Sequence, residues 1–214
     1  MNDLYADCRS WNPVAYHEIA VDDCYHMAEV VESPELVIDI GANRGVFTAC
    51  ARRRWPDAQV WSVEPYQPNF EHLVRQFSAD DRVYLFRNAL SAGGDVFWFD
   101  AGHELTGNHS YRTASRWLPT PAEYNAKPCT VAGLSLATWA DDIESQRTFV
   151  KIDCEGAESC LLADPQSMLA LRGASWIAME LHWFAATKPL SYDLAGRWVE
   201  ALVGFEESHV VRLT

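Results

Sequence analysis

Positive charge is scarce in this chain. Lys and Arg number 17 against 30 Asp and Glu, for a formal net charge of −13. Nucleic-acid binding needs the reverse, a surplus of cations to displace counterions from phosphate. The only basic cluster, Arg52 to Arg54, is better explained as a helix end, where cations suit the dipole. Long apolar runs are also missing. Apolar residues make up 49%, yet no segment is long or pure enough to span a membrane. The run Met1 to Asp7 has early acids and no apolar stretch of the signal-peptide kind. The expectation is a cytoplasmic protein acting on small molecules, with no nucleic-acid or membrane partner. There is no Cys-x-x-Cys pair, which argues against structural zinc. Cys8, Cys24, Cys50, Cys129, Cys154 and Cys160 read as reduced thiols, mostly in the core. No internal repeat or low-complexity segment interrupts the 214 residues, so a single domain over 1–214 is expected.

What the chain does have is Leu36-Val-Ile-Asp-Ile-Gly-Ala-Asn-Arg-Gly45. Leu36 to Ile40 is apolar but for one acid, which predicts a buried parallel strand. Gly41 and Gly45 frame a tight turn into Val46 to Ala51, a helix without breakers. Strand, glycine turn and helix make the first half of a nucleotide-type unit, with its ligand at the strand's C-terminal edge.

The pyrophosphate fingerprint Gly-x-Gly-x-x-Gly is absent. Asn43 and Val46 hold its second and third glycine places. A second acid, Glu64, ends the next apolar run, Gln59-Val-Trp-Ser-Val-Glu64. An acid there can grip a ribose diol, and Asp39 can face a cationic amino acid group. S-adenosylmethionine has both and no phosphate.

Three blocks then resemble a family in order: Val37 to Gly45, Val63-Glu-Pro-Tyr-Gln-Pro-Asn-Phe70, and Val150-Lys-Ile-Asp-Cys-Glu-Gly-Ala-Glu158. They look like the FkbM-type S-adenosylmethionine-dependent methyltransferases, and Tyr16–Tyr25 and Ile177–His182 extend the likeness. The resemblance implies an α/β class I methyltransferase (Rossmann-like) fold: a mostly parallel central sheet with helices on both faces. It also implies methylation, usually at oxygen, of a small molecule or sugar. That fold usually closes with an antiparallel hairpin. Only Glu206 to Leu213 reads as a terminal strand here, so an abbreviated C-terminal strand pair is expected.

The rest of the chain is read by its periods. Residues 1–35 form a leader, with a helix expected over Val21–Val31, serving as a brace or a wall of the pocket. Phe70, Leu73, Val74 and Phe77 form one buried helical stripe, and Leu136, Trp139, Ala140 and Ile143 another. Strands are expected at Arg82–Arg87, Asp95–Phe99, Thr148–Asp153 and Ser175–His182. A short helix over Glu158–Ala163 should stop near Pro165, and Leu194, Trp198 and Leu202 mark a last helix ended by Gly204. Residues 100–127 lack a sustained period, and His103, His109, Tyr111, Arg112, Arg116 and Trp117 give them binding chemistry. They read as a lid over the acceptor, or else a surface insertion.

The candidate cofactor contacts are Asp39, Gly41, Ala42, Asn43, Gly45, Glu64, Pro65, Tyr66, Asn88, Ala89 and Asp153. Asp153, Glu180 and His182 are the candidate catalytic groups, because strand-end acids in open α/β sheets face the ligand crevice. A turn-capping acid is the bland alternative for Asp153, and a carbonyl-bonded imidazole the one for His182. Glu155, His103, His109, Tyr111 and Trp117 are assigned to the acceptor. Asp153, Glu155 and Glu180 also offer oxygen ligands to Mg²⁺, a reading the positions do not force. Two other functions stay open, a nicotinamide oxidoreductase lacking its glycines and a non-catalytic module of the same fold.

Overall fold

The computed structural model describes residues 5–91, 95–99, 128–154, 157–158, 161, 164–181, 190–194, 197–201 and 209–213. Its strands, in chain order, are β1 (Leu36–Ile40), β2 (Gln59–Val63), β3 (Val83–Phe86), β4 (Ala89–Leu90), β5 (Asp95–Phe99) and β6 (Pro128–Leu134). β7 (Thr148–Ile152), β8 (Trp176–Leu181), β9 (Leu190–Leu194), β10 (Arg197–Ala201) and β11 (His209–Leu213) complete the set. The central sheet runs β11-β8-β7-β1-β2-β3. All its pairings are parallel except β11 on β8. β4, β6 and β5 form the accessory sheet that Asp95–Phe99 allowed for.

Helices α1 (Pro13–Tyr16), α2 (Val46–Arg54), α3 (Gln67–Phe77), α4 (Ala140–Ser145) and α5 (Pro165–Leu171) flank this sheet. The pleat sends alternate side chains to opposite faces, and the core divides accordingly. Leu36, Ile38 and Ile40 pack with Ile143 and Leu171, on the face of α4 and α5. Val37, Val60 and Phe149 pack with Phe47 and Phe77, on the face of α2 and α3. Two covered faces explain why β1 and β7 are buried along their whole length. The outcome is a class I methyltransferase fold.

Arg52 explains the basic cluster. Its guanidinium is buried at the end of α2, donates to the Pro56 carbonyl at 2.7 Å, and meets Asp80 at 2.9 Å. Tyr5 donates to the same carboxylate at 2.8 Å and stacks on Phe77, so the leader braces the α3 face.

Three expectations need correction. The helix over Val21–Val31 does not form. Asp23 and His26 take left-handed backbone angles, and the Asp23 carboxylate instead accepts the amides of Met27 and Ala28, both at 2.8 Å. Val74 is 40% exposed, at the margin of the α3 stripe, while Leu73 and Phe77 are fully buried. The helical turn that holds Glu158 and Leu161 does end before Asp164 as expected, and Pro165 then opens α5, with Asp164 capping its first turn. Leu194 and Trp198 belong to two antiparallel strands, β9 and β10, instead of one helix.

Candidate active site

The glycine turn after β1 is fixed by contact with its neighbours. The amides of Gly41 and Ala42 both donate to the Val63 carbonyl at 2.9 Å. Gly41 has φ +77°, and a Cβ there would stand 1.7 Å from the Asp153 carbonyl oxygen. The turn therefore lies directly against the end of β7, and only glycine fits. Gly45, at φ +84°, faces Phe77 and Leu73 of α3.

Glu64 follows β2 and is buried under this turn. One carboxylate oxygen accepts the Asn43 amide at 2.8 Å and the other the Tyr66 amide at 2.8 Å. The acid thus ties the turns after β1 and β2 together. Burial raises its pKa to about 7, against the pull of these two amides. Pro65 and Tyr66 are half-buried beside it. Asn88 is half-buried and donates to the Ala132 carbonyl at 3.2 Å, while Ala89 is buried in β4.

Asp39, expected to face a cationic amino acid group, lies within β1. It is fully buried, accepts from Thr48 of α2 at 2.7 Å, and meets Lys151 at 3.2 Å. Lys151 is the residue sequence reasoning missed. Its ammonium donates to the Gly41 carbonyl at 2.8 Å and stands 3.6 Å from Asp153. Burial alone would lower its pKa, but the charges of Asp39 and Asp153 outweigh that and hold it above the ordinary lysine value. One signal was legible: a lysine in one buried apolar strand and an acid in another need each other.

Asp153 follows β7, with a quarter of its side chain exposed. The Cys154 amide is held by Glu158 at 2.7 Å, so that contact of the turn belongs to Glu158 and not to Asp153. Tyr25 of the leader donates to Asp153 at 2.9 Å and lies 3.4 Å from Glu180. No sequence pattern links residues 128 positions apart, and Tyr25 was missed as well. Glu18 stands near this group, its pKa raised by burial and by the charges of Glu180 and Asp153. The structure thus brings Gly41, Ala42, Asn43, Glu64, Tyr66, Asp153 and Glu180 to one edge of the sheet. His182, Glu155, His103, His109, Tyr111 and Trp117 lie outside the described residues, as do residues 100–127. Among the described residues, no cluster of three His, Cys, Asp or Glu could hold a metal ion.

Residues 39–200 match the Methyltransferase FkbM domain. The chain belongs to the FkbM methyltransferase family. Methyltransferase sdnD of Sordaria araneosa is 33% identical over 68 residues, covering 32% of this chain and 26% of that protein. The chain thus matches about a quarter of the length of this curated relative. Among solved structures, a coclaurine N-methyltransferase bound to N-methylheliamine and SAH aligns over 77% of this chain and 35% of its own. Its identity is 15% and its TM-score 0.37. The plantazolicin methyltransferase BpumL in complex with SAH aligns over 83% and 47%, with 7% identity and a TM-score of 0.29. Among the described residues, no helix is long and apolar enough to cross a membrane.

Proposed function

We propose that this FkbM methyltransferase moves a methyl group from S-adenosylmethionine to a hydroxyl oxygen of a small molecule, such as a secondary metabolite or sugar. The donor set at the sheet edge supports this cofactor. Glu64, Asp153 and Glu180 are acids, Lys151 is committed to Asp39 and nearby carbonyls, and Arg44 donates to the Trp11 carbonyl at 3.0 Å. Such a set suits a diol and a sulfonium and is poor for a phosphate. When bound, S-adenosylmethionine supplies a methyl on a positively charged sulfur, open to in-line displacement. Glu64 and the Gly41–Gly45 turn hold the nucleoside end. Asp153 orients the acceptor hydroxyl and takes its proton as the new C–O bond forms.

The observation that carries the assignment is the Asp153 carboxylate, partly exposed at the end of a buried strand while its Oδ2 is held by Tyr25 and Lys151. The test is release of S-adenosylhomocysteine in the presence of alcohols, phenols, sugars, amines and RNA. Turnover with a hydroxyl acceptor, falling on the order of 10²-fold in Asp153→Asn, is expected. Turnover confined to amines or RNA would overturn the acceptor, and an Asp153→Asn variant at wild-type rate would overturn the catalytic centre.

A further inference from the structure

Tyr25 reaches the site from a segment with no regular helix, yet its ring is fixed. The Tyr25 ring meets Phe47 edge-on with centroids 5.4 Å apart, and the Lys151 ammonium lies 5.5 Å from its centroid. Its hydroxyl is buried between two acids, 2.9 Å from Asp153 in the turn after β7 and 3.4 Å from Glu180 of β8. A phenol placed so firmly gives its one proton to the nearer carboxylate and restricts that carboxylate's rotation. Lys151 holds the same Oδ2 from below at 3.6 Å. Asp153 is thereby pinned through one oxygen.

We infer that Tyr25 is a positioning residue for methyl transfer, setting the orientation of Asp153 toward the departing methyl. This rests on the reading of Asp153 given above. It also gives the leader a part in the chemistry. Residues 5 to 16 brace the α2 and α3 face, while Tyr25 shapes the acceptor side. Burial and the charges of Asp153 and Glu180 hold the Tyr25 hydroxyl well above the ordinary phenol value, so it stays a donor at any working pH.

The test needs no acceptor. S-adenosylhomocysteine and sinefungin are nucleoside probes that differ where the methyl departs: sinefungin carries an amine-bearing carbon there. Its extra affinity reads the groups facing that place. Calorimetry on the whole chain should show a sinefungin preference that Asp153→Asn abolishes. Tyr25→Phe keeps the ring and should cost roughly tenfold in sinefungin affinity, the effect of one hydrogen bond to a charged group. S-adenosylhomocysteine affinity and the melting temperature should hold. In the double variant the tyrosine change should cost nothing further, because it acts through the carboxylate. An unchanged preference in Tyr25→Phe, beside a lost one in Asp153→Asn, would overturn the inference alone. Parallel loss of S-adenosylhomocysteine binding in Tyr25→Phe would make Tyr25 a packing residue and overturn it too. If the wild type shows no preference, or Asp153→Asn keeps it, the reading of Asp153 fails and takes the inference with it.

Discussion

Asp39 and Lys151 are register partners across the β1–β7 pairing, and their charges meet at 3.2 Å with neither side chain exposed. A pair so deep is costly to break from one side, because the survivor is left charged in a dry interior. Lys151→Met should therefore destabilise the fold by roughly 3–5 kcal/mol in urea unfolding. Adding Asp39→Leu should recover much of that loss. A single variant costing less than about 1 kcal/mol would place the pair in the range of exposed ion pairs.

The two glycines of the turn should not be equivalent. At Gly41 an added Cβ meets backbone, the Asp153 carbonyl; at Gly45 it meets the ends of the Phe77 and Leu73 side chains. Backbone cannot step aside as a ring can. Gly41→Ala should cost roughly 3 kcal/mol or more, and Gly45→Ala clearly less, by chemical denaturation. The reverse order would show that the turn is free to move off β7.

Glu64 gives a pH signature. Burial holds its folded-state pKa at about 7, against 4.5 for the ordinary carboxyl. Between those values the folded chain keeps a proton that the unfolded chain releases. Stability from this group is thus fully present below the ordinary value and is lost as pH rises through about 7. The change amounts to about 3 kcal/mol at most. Glu64→Gln should flatten that part of the stability–pH curve, as followed by melting temperature. An unchanged slope would mean the group titrates like an exposed acid.

Asp80 has the opposite sign. Burial would raise its pKa, but Arg52, the Arg82 amide and the Tyr5 hydroxyl outweigh it and hold the group below its ordinary 3.8. Its contribution is present above that value and disappears as pH falls through the folded-state value. Asp80→Asn should lower stability at neutral pH and narrow the gap from wild type in strong acid. Acid titration by circular dichroism reads both. Equal losses at both ends would point to packing instead of charge.

The sheet was readable in sequence because its strands are short apolar runs, β1 framed by Pro34 and Gly41, and α3 because its stripe repeats at helical spacing. The last helix failed for a reason of arithmetic. Leu194 and Trp198 are four apart, a spacing that serves a helix face and, being even, a strand face as well. The register pairs Leu194 with Arg197, so the two strands follow each other closely in the chain. In the leader, the left-handed backbone at Asp23 and His26 has no period to betray it. The floor of the site, Gly41 to Glu64, was local in sequence and therefore legible. Its other half was not, since Tyr25 meets Asp153 only after the chain has folded back over the sheet.

The position of β1 also bears on how the protein is made. β2 and β3 follow it closely in the chain, but its other neighbour, β7, is synthesised only after the accessory strands. Until Thr148–Ile152 leaves the ribosome, the middle of the future sheet is an open edge. It displays unpaired backbone groups and an aspartate still without its lysine. Nascent chains stopped in that interval carry the type of edge that recruits strands from other molecules. Fragments that end before β7 should therefore express less solubly than those that include it.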